Sequence, residues 1–253
     1  MRFNPSIEII PLNSIYYAIA AAFNQSSFTI MSLSSQYQAL IFDWDGTLAD
    51  SVTPIIKALQ YAHSQMGFAF LDPNTARQVI GLSLQQAMLY TAPQANPQQI
   101  AQLIRHYYQY YLHHDQTALS FKQARYWLPR FSQKYWLGVA SGKSRQGLEK
   151  ALIDTDFKKW FMATRTIDEC AAKPNPDMVL SLCDEWGLSP SEVLVIGDTS
   201  YDLLMAANAG ADAVALTTGA HDIASLRQAP HQAILSDLNQ LAEWLNIQPN
   251  QEN

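Results

Sequence analysis

Leu40-Ile41-Phe42-Asp43-Trp44-Asp45-Gly46-Thr47-Leu48 is the stretch on which the fold turns. The apolar run Ala39 to Phe42 is short and reads as a buried strand. Two carboxylates one residue apart follow at once, and Gly46 gives the backbone freedom to turn. Asp43 and Asp45 thus stand where a strand ends. Chemistry in open α/β sheets collects at the carboxyl ends of strands. Two acids there attract a hard cation, and one can attack while the other moves protons. Taken alone, the stretch is equally a strand followed by an Asp-rich turn, because Asp favours turns in any protein. The rest of the chain has to separate these readings.

Outward from this stretch the grammar is first helical. Val52, Ile55, Ile56, Leu59, Ala62 and Met66 recur at helical spacing, with Ser51 as an N-cap and Gly67 as a stop. Residues 71–116 are Gln-rich and aromatic, with helical periodicity and punctuation by Pro73, Pro93 and Pro97. They read as part of a small all-helical module, 51–118, inserted after the first strand. Strands and helices then alternate. A helix at 122–133 leads to a strand at 136–140, a helix at 145–153 and a short apolar stretch near Phe161. A helix at 176–186 precedes the strand Val193 to Ile196, the most strand-like run in the chain. A helix at 201–209 ends at Gly210, and strands at 213–216 and 233–235 follow, each with a helix behind. Such alternation predicts an α/β fold with a doubly wound parallel sheet. The expected organisation is a core of residues 37–50 and 119–246, the helical module between them, and a polar tail at 247–253.

Composition narrows the class. The 253 residues are 48% apolar with a net charge of -6, enough for a core and without a basic tract. Nucleic acid is therefore not an expected partner, since phosphate backbones are bound by clustered Lys and Arg. Cys170 and Cys183 lack metal-ligand spacing and read as thiols of a reducing compartment. No apolar run reaches the ~18 residues of a membrane span. Ile15 to Phe23 is the nearest, but Arg2 is offset by Glu8 and prolines intervene, unlike a secretory signal. Residues 1–36 read as a poorly ordered leader, and Met31 offers an alternative start. A cytoplasmic protein, monomeric or dimeric, is expected.

Three further strand ends carry polar residues of a suitable kind. Ser141-Gly142-Lys143-Ser144-Arg145 follows one strand and opens a helix, where a hydroxyl and free N–H groups form an anion site. Ser141 is also simply an N-cap candidate. Lys173-Pro174-Asn175-Pro176 is a stiff segment that can aim its lysine, although most loop lysines are solvated. Gly197-Asp198-Thr199-Ser200-Tyr201-Asp202 puts one acid at a strand end and another in the next first turn. Helix dipoles favour such acids in any case. A Mg²⁺ ion takes one or two carboxylates together with waters and substrate phosphate, which this set could supply.

In this order, the residues resemble the haloacid dehalogenase-like hydrolase superfamily over about 37–245. Asp43-Trp44-Asp45-Gly46-Thr47 matches its first motif, Ser141 its second, Lys173 its third, and Gly197-Asp198 with Asp202 its fourth. The helical insert is similar to the cap shared by phosphoglycolate phosphatase and β-phosphoglucomutase, and Ile80-Gly81-Leu82-Ser83 resembles the cap loop that reaches the site. The resemblance implies a Mg²⁺-dependent phosphatase acting on a small phosphorylated metabolite. Phosphoglycolate, sugar phosphates and nucleotides are the implied choices. It implies Asp43 as nucleophile, Asp45 as acid and base, and Lys173 as charge neutraliser. Metal would be held by Asp43, the Asp45 carbonyl, Asp198 and Asp202. Phosphate or substrate would meet Ser141, Gly142, Lys143, Gly81 and Ser83. Asp45 also disfavours dehalogenation, because family dehalogenases characteristically lack it. A phosphomutase of the β-phosphoglucomutase type and a non-catalytic binding protein are the alternatives. The chain departs from its relatives at Leu119-Ser120-Phe121-Lys122-Gln123-Ala124, where a Pro-Gly turn is usual. Lys143 could touch substrate or solvate the helix start, and Arg145 is expected to do the latter. His113-His114-Asp115 is not read as a metal site, because adjacent histidines point apart on a helix.

Overall fold

The computed structural model describes residues 36–113 and 120–249. The leader, the tail beyond 249 and His114-Asp115 lie outside the described residues. Six strands form one sheet: β1 (Ala39–Phe42), β2 (Trp136–Ser141), β3 (Ala163–Thr166), β4 (Val193–Gly197), β5 (Asp212–Leu216) and β6 (Ala233–Leu235). Their order is β3-β2-β1-β4-β5-β6 and every neighbouring pair is parallel. Parallel strands need crossovers, and helices supply them. The α/β architecture is the expected one.

β1 and β4 are buried along their whole length, which is why both read as unbroken apolar runs. Leu40 and Phe42 face one core layer with Trp127, Phe131 and Leu148. Ala39 and Ile41 face the other with Met178, Leu182 and Leu203. Those layers come from α5 (Lys122–Phe131), α6 (Arg145–Thr155), α7 (Asp177–Trp186) and α8 (Ser200–Ala209), with α9 (Ile223–Leu226) and α10 (Leu238–Trp244) completing them. The short apolar stretch near Phe161 is followed by β3, which starts at Ala163. It is an edge strand of sequence Ala-Thr-Arg-Thr, half open to solvent, so no apolar run marks it. Cys170 and Cys183 are free thiols, the latter buried on α7.

Among the described residues, four helices lie between β1 and α5: α1 (Val52–Gln65), α2 (Pro73–Gln78), α3 (Leu84–Thr91) and α4 (Pro97–His113). They share a buried cluster of their own, built on Ile56, Leu59, Ala62, Met88, Ile100 and Leu103. The segment leaves and rejoins the sheet at one place. Ala49 and Ser120 form an antiparallel bridge, and the Phe121 amide donates to the Leu48 carbonyl at 3.0 Å. None of the helices among the described residues is long and apolar enough to cross a membrane.

Candidate active site

The chain visits β1, β2 and β3 on one side and β4, β5 and β6 on the other, so the winding reverses between β1 and β4. That reversal opens a crevice beyond the carboxyl ends of the two strands. Asp43 stands at the end of β1 and Asp198 at the end of β4, with Phe42 paired to Ile196. The Asp43 amide donates to the Ile196 carbonyl at 2.8 Å, so the backbone itself fixes the carboxylate's origin.

Asp43, Asp198 and Asp202 are all buried, and one carboxylate oxygen of each lies within 4.8 Å of the others. Lys173 is fully buried between two of them, its Nζ 2.7 Å from Asp43 Oδ1 and 2.6 Å from Asp202 Oδ1. A buried ammonium is tolerated only when paired. The surface-loop alternative for Lys173 is therefore wrong: Asn208 holds the loop by donating to the Pro174 carbonyl at 2.9 Å. Burial alone would lower the Lys173 ammonium pKa, but Asp202 and Asp43 outweigh it and raise it.

The remaining carboxylate oxygens are held in place. The Asp198 carboxylate accepts from the Thr47 hydroxyl at 2.9 Å and the Ala220 amide at 2.8 Å. Asp202 Oδ2 accepts from the Thr199 amide at 3.0 Å and the Thr199 hydroxyl at 2.7 Å. Glycines make the room. A Cβ on Gly219 would lie 1.8 Å from Asp198 Oδ2, and one on Gly197 2.3 Å from the Asp202 Cβ. Gly46, at φ +81°, is needed for its backbone angle and for the same closeness to Asp198. The Thr218 hydroxyl ties down the Gly46 carbonyl at 2.6 Å.

Three carboxylates beside one lysine leave a buried excess of negative charge. Burial pushes the Asp43 carboxyl upward, with Asp202 and Asp45 adding to the push and Lys173 opposing it. Burial, then Asp43 and Asp202, push Asp198 well up. An all-oxygen donor set with unbalanced charge fits a hard divalent cation such as Mg²⁺. Asp43, Asp198 and Asp202 would hold it.

The Asp45 carboxylate is not part of that trio. Its Oδ1 meets the Lys143 ammonium at 2.9 Å and accepts from the Ser51 hydroxyl at 2.5 Å. Its expected contribution to a metal is through its main-chain carbonyl, so the side chain stays available for other work. Ser51 departs from expectation. It precedes α1 but makes no side-chain cap, because its hydroxyl is turned to Asp45. Lys143 also donates to the Tyr111 hydroxyl of α4 at 3.2 Å. Burial would lower its pKa, but Asp45 and Tyr111 outweigh this and raise it. Of the two options for Lys143, the bonds to Asp45 and Tyr111 favour the side facing the cavity.

A cavity of about 290 Å³ opens from these groups toward the helical segment. Asp43, Asp45, Gly142, Lys143 and Gly81 line it. Gly142 is pressed against the cap-like loop: a Cβ there would lie 2.8 Å from the Leu82 carbonyl oxygen. Ser141 is fully buried, its oxygen accepting from the Lys143 amide at 3.3 Å. Two expectations change. Ser83 does not line the cavity, because its hydroxyl caps α3, bonding to the Gln86 side chain at 2.9 Å and the Gln86 amide at 3.2 Å. Arg145 does not solvate the helix start. Its guanidinium grips Glu169 at 2.7 Å twice and the Thr164 hydroxyl at 2.7 Å.

Sequence reasoning did not find Thr47, Ser51, Thr199, Tyr111 or the Gly219-Ala220 turn. The last was findable, since Thr217-Thr218-Gly219 follows β5 as a small, polar strand end.

Known proteins show the same organisation. The chain is 28% identical over 208 residues to the "Probable phosphatase IndB" of Dickeya dadantii, covering 80% of this chain and 90% of that one. It is 28% identical over 199 residues to the phosphoglycolate phosphatase of Pasteurella multocida, covering 73% and 88%. The crystal structure of a hydrolase from Pseudomonas syringae superposes with a TM-score of 0.76 at 25% identity, over 83% of this chain and 98% of that one. The family model described as haloacid dehalogenase-like hydrolase matches residues 40–216, from β1 with its two acids to the end of β5. The chain belongs to the haloacid dehalogenase-like hydrolases.

Proposed function

We propose that this hydrolase is a Mg²⁺-dependent phosphatase that cleaves a small phosphomonoester through an aspartyl phosphate on Asp43. One observation carries the reading. Asp43 is gripped by Lys173 inside a carboxylate trio, while Asp45, two residues on, faces the cavity outside it. The two acids thus have the different surroundings that attack and proton transfer require.

Asp43, Asp198 and Asp202 hold the cation, which when bound offsets the repulsion between an anionic carboxylate and an anionic ester. Asp43 Oδ attacks phosphorus. The bond from phosphorus to the ester oxygen breaks, and Asp45 gives that oxygen a proton as the alcohol leaves. Water then attacks the aspartyl phosphate, Asp45 takes back a proton, and inorganic phosphate departs. Lys173 balances charge on Asp43 and on the transferring group. Ser141, Gly142 and the backbone amides ahead of α6 hold phosphate oxygens. The helical segment covers the cavity and excludes water from the first step.

The test is Asp43→Asn. Turnover of a phosphomonoester panel with Mg²⁺ should fall by at least about 10³-fold while the melting curve stays cooperative. An active, folded D43N protein would refute the nucleophile. Undiminished wild-type activity in a chelator would refute the metal.

A further inference from the structure

We infer that the leaving group is an uncharged alcohol bearing an aromatic or other apolar ring, and not a carboxylate- or phosphate-bearing one. The inference rests on the phosphatase reading and concerns the half of the cavity that the phosphoryl group does not occupy. That half is walled by the helical segment: Ile55 and Leu59 of α1, Leu84 and Ala87 of α3, and Tyr107 and Tyr108 of α4. Every described cavity-lining residue between 52 and 111 is aliphatic, glycine or tyrosine. None is Arg, Lys, His, Asp or Glu.

The tyrosines form a platform. Tyr107 and Tyr111 stack one helical turn apart, centroids 5.4 Å apart and planes 12° from parallel. Tyr108 meets Tyr107 edge-on at 5.6 Å. A flat ring from a ligand adds to such a cluster by offset or edge contacts. The cavity's volume of about 290 Å³ lies just below the ~300–1,000 Å³ usual for ligand pockets, room for a small ring beside a phosphate.

Charge argues the other way for a second anion. Among the described residues two cations line the cavity, and both are engaged: Lys143 by Asp45 at 2.9 Å and Lys150 by Asp154 at 2.6 Å. A carboxylate or second phosphate on the leaving group would meet the apolar wall without a partner, which is costly. On the described helical wall a polyhydroxylated leaving group would meet no side-chain oxygens other than those of the tyrosines.

Among the primary alkyl esters the leaving alcohols differ little in acidity, and pyrophosphate, an anhydride with a better leaving group, presents a second anion at the same place. We would compare kcat/KM for phenylethyl and indolylethyl phosphate with that for phosphoglycolate, glycerol phosphate and pyrophosphate, all with Mg²⁺. The ring-bearing esters should lead by roughly tenfold or more, mostly through KM. Leu84→Arg, on a half-exposed position of the wall, should reverse the ranking toward phosphoglycolate. Equal or better turnover of phosphoglycolate or pyrophosphate by the wild type overturns the inference and leaves the phosphatase intact. An unchanged ranking in folded L84R overturns it as well. No turnover of any ester, para-nitrophenyl phosphate included, overturns the phosphatase reading and this inference with it.

Discussion

Lys143 joins two parts of the chain that sequence order keeps far apart. Its ammonium bonds Asp45, beside the first strand, and Tyr111, on the last helix of the inserted segment. Under the proposed mechanism it positions the acid's carboxylate. Lys143→Met should lower kcat by about 10²-fold, within the range of acid–base contributions, with little change in melting temperature. Tyr111→Phe should cost less than tenfold, since Lys143 keeps Asp45. A K143M protein with wild-type kcat would remove Lys143 from the chemistry. Asp43 and Asp198 were legible because each ends a hydrophobic run, Asp202 because it falls in the first turn of the helix that follows, and Lys173 because a stiff proline segment follows it. Ser51 and Tyr111 were not. A Ser ahead of a helix reads as a cap, and a Tyr at helical spacing reads as core. Only the fold brings them to Asp45 and Lys143.

At the scale of elements, Arg145 illustrates what strand and helix signals conceal. It opens α6, yet it ties that helix to the end of β3 through Glu169 and Thr164. Hydrogen bonds from Arg145 chiefly hold the Glu169 carboxyl down at about 2 from its ordinary 4.5, helped by the Thr166 amide and hydroxyl. A depressed carboxylate contributes stability above its unfolded value and loses it as pH falls toward the folded one. The melting-temperature gap between wild type and Glu169→Gln should therefore be constant above about 4.5 and close as pH approaches 2. A gap that does not narrow over that window would show that Glu169's charge is not what matters. The pair is partly solvated, so its worth is modest, about 1 kcal/mol or less. The same setting explains why β3 was hard to read. An edge strand need not be apolar on both faces, and Arg165 is satisfied sideways by Ser181 at 2.7 Å. β1 and β4 have no such freedom, and their sequences announce them.

Across the whole molecule, the sheet's winding reversal gathers three buried carboxylates around one lysine, a site that is costly to keep without a cation. Mg²⁺ should therefore stabilise the fold as well as activate it. A cation that binds only the folded state raises stability by about 2.7 kcal/mol at a hundredfold excess over its Kd. Titration of Mg²⁺ should raise the melting temperature of the wild type. It should do so far less in Gly219→Ala, whose new Cβ would displace the Asp198 carboxylate from 1.8 Å away. Equal shifts in both proteins would place the cation elsewhere.

The bridge between Ala49 and Ser120 has a consequence for how such a molecule can vary. The helical segment begins and ends side by side, so its two ends are already closed by an isolated bridge just beyond β1. Lengthening or shortening what lies between them changes loop-closure entropy only logarithmically, by about 0.6 kcal/mol per doubling. Neither change alters the register of β1 against β2. Insertions and deletions there reshape the wall of the cavity while the strand ends that carry Asp43 and Asp198 keep their spacing.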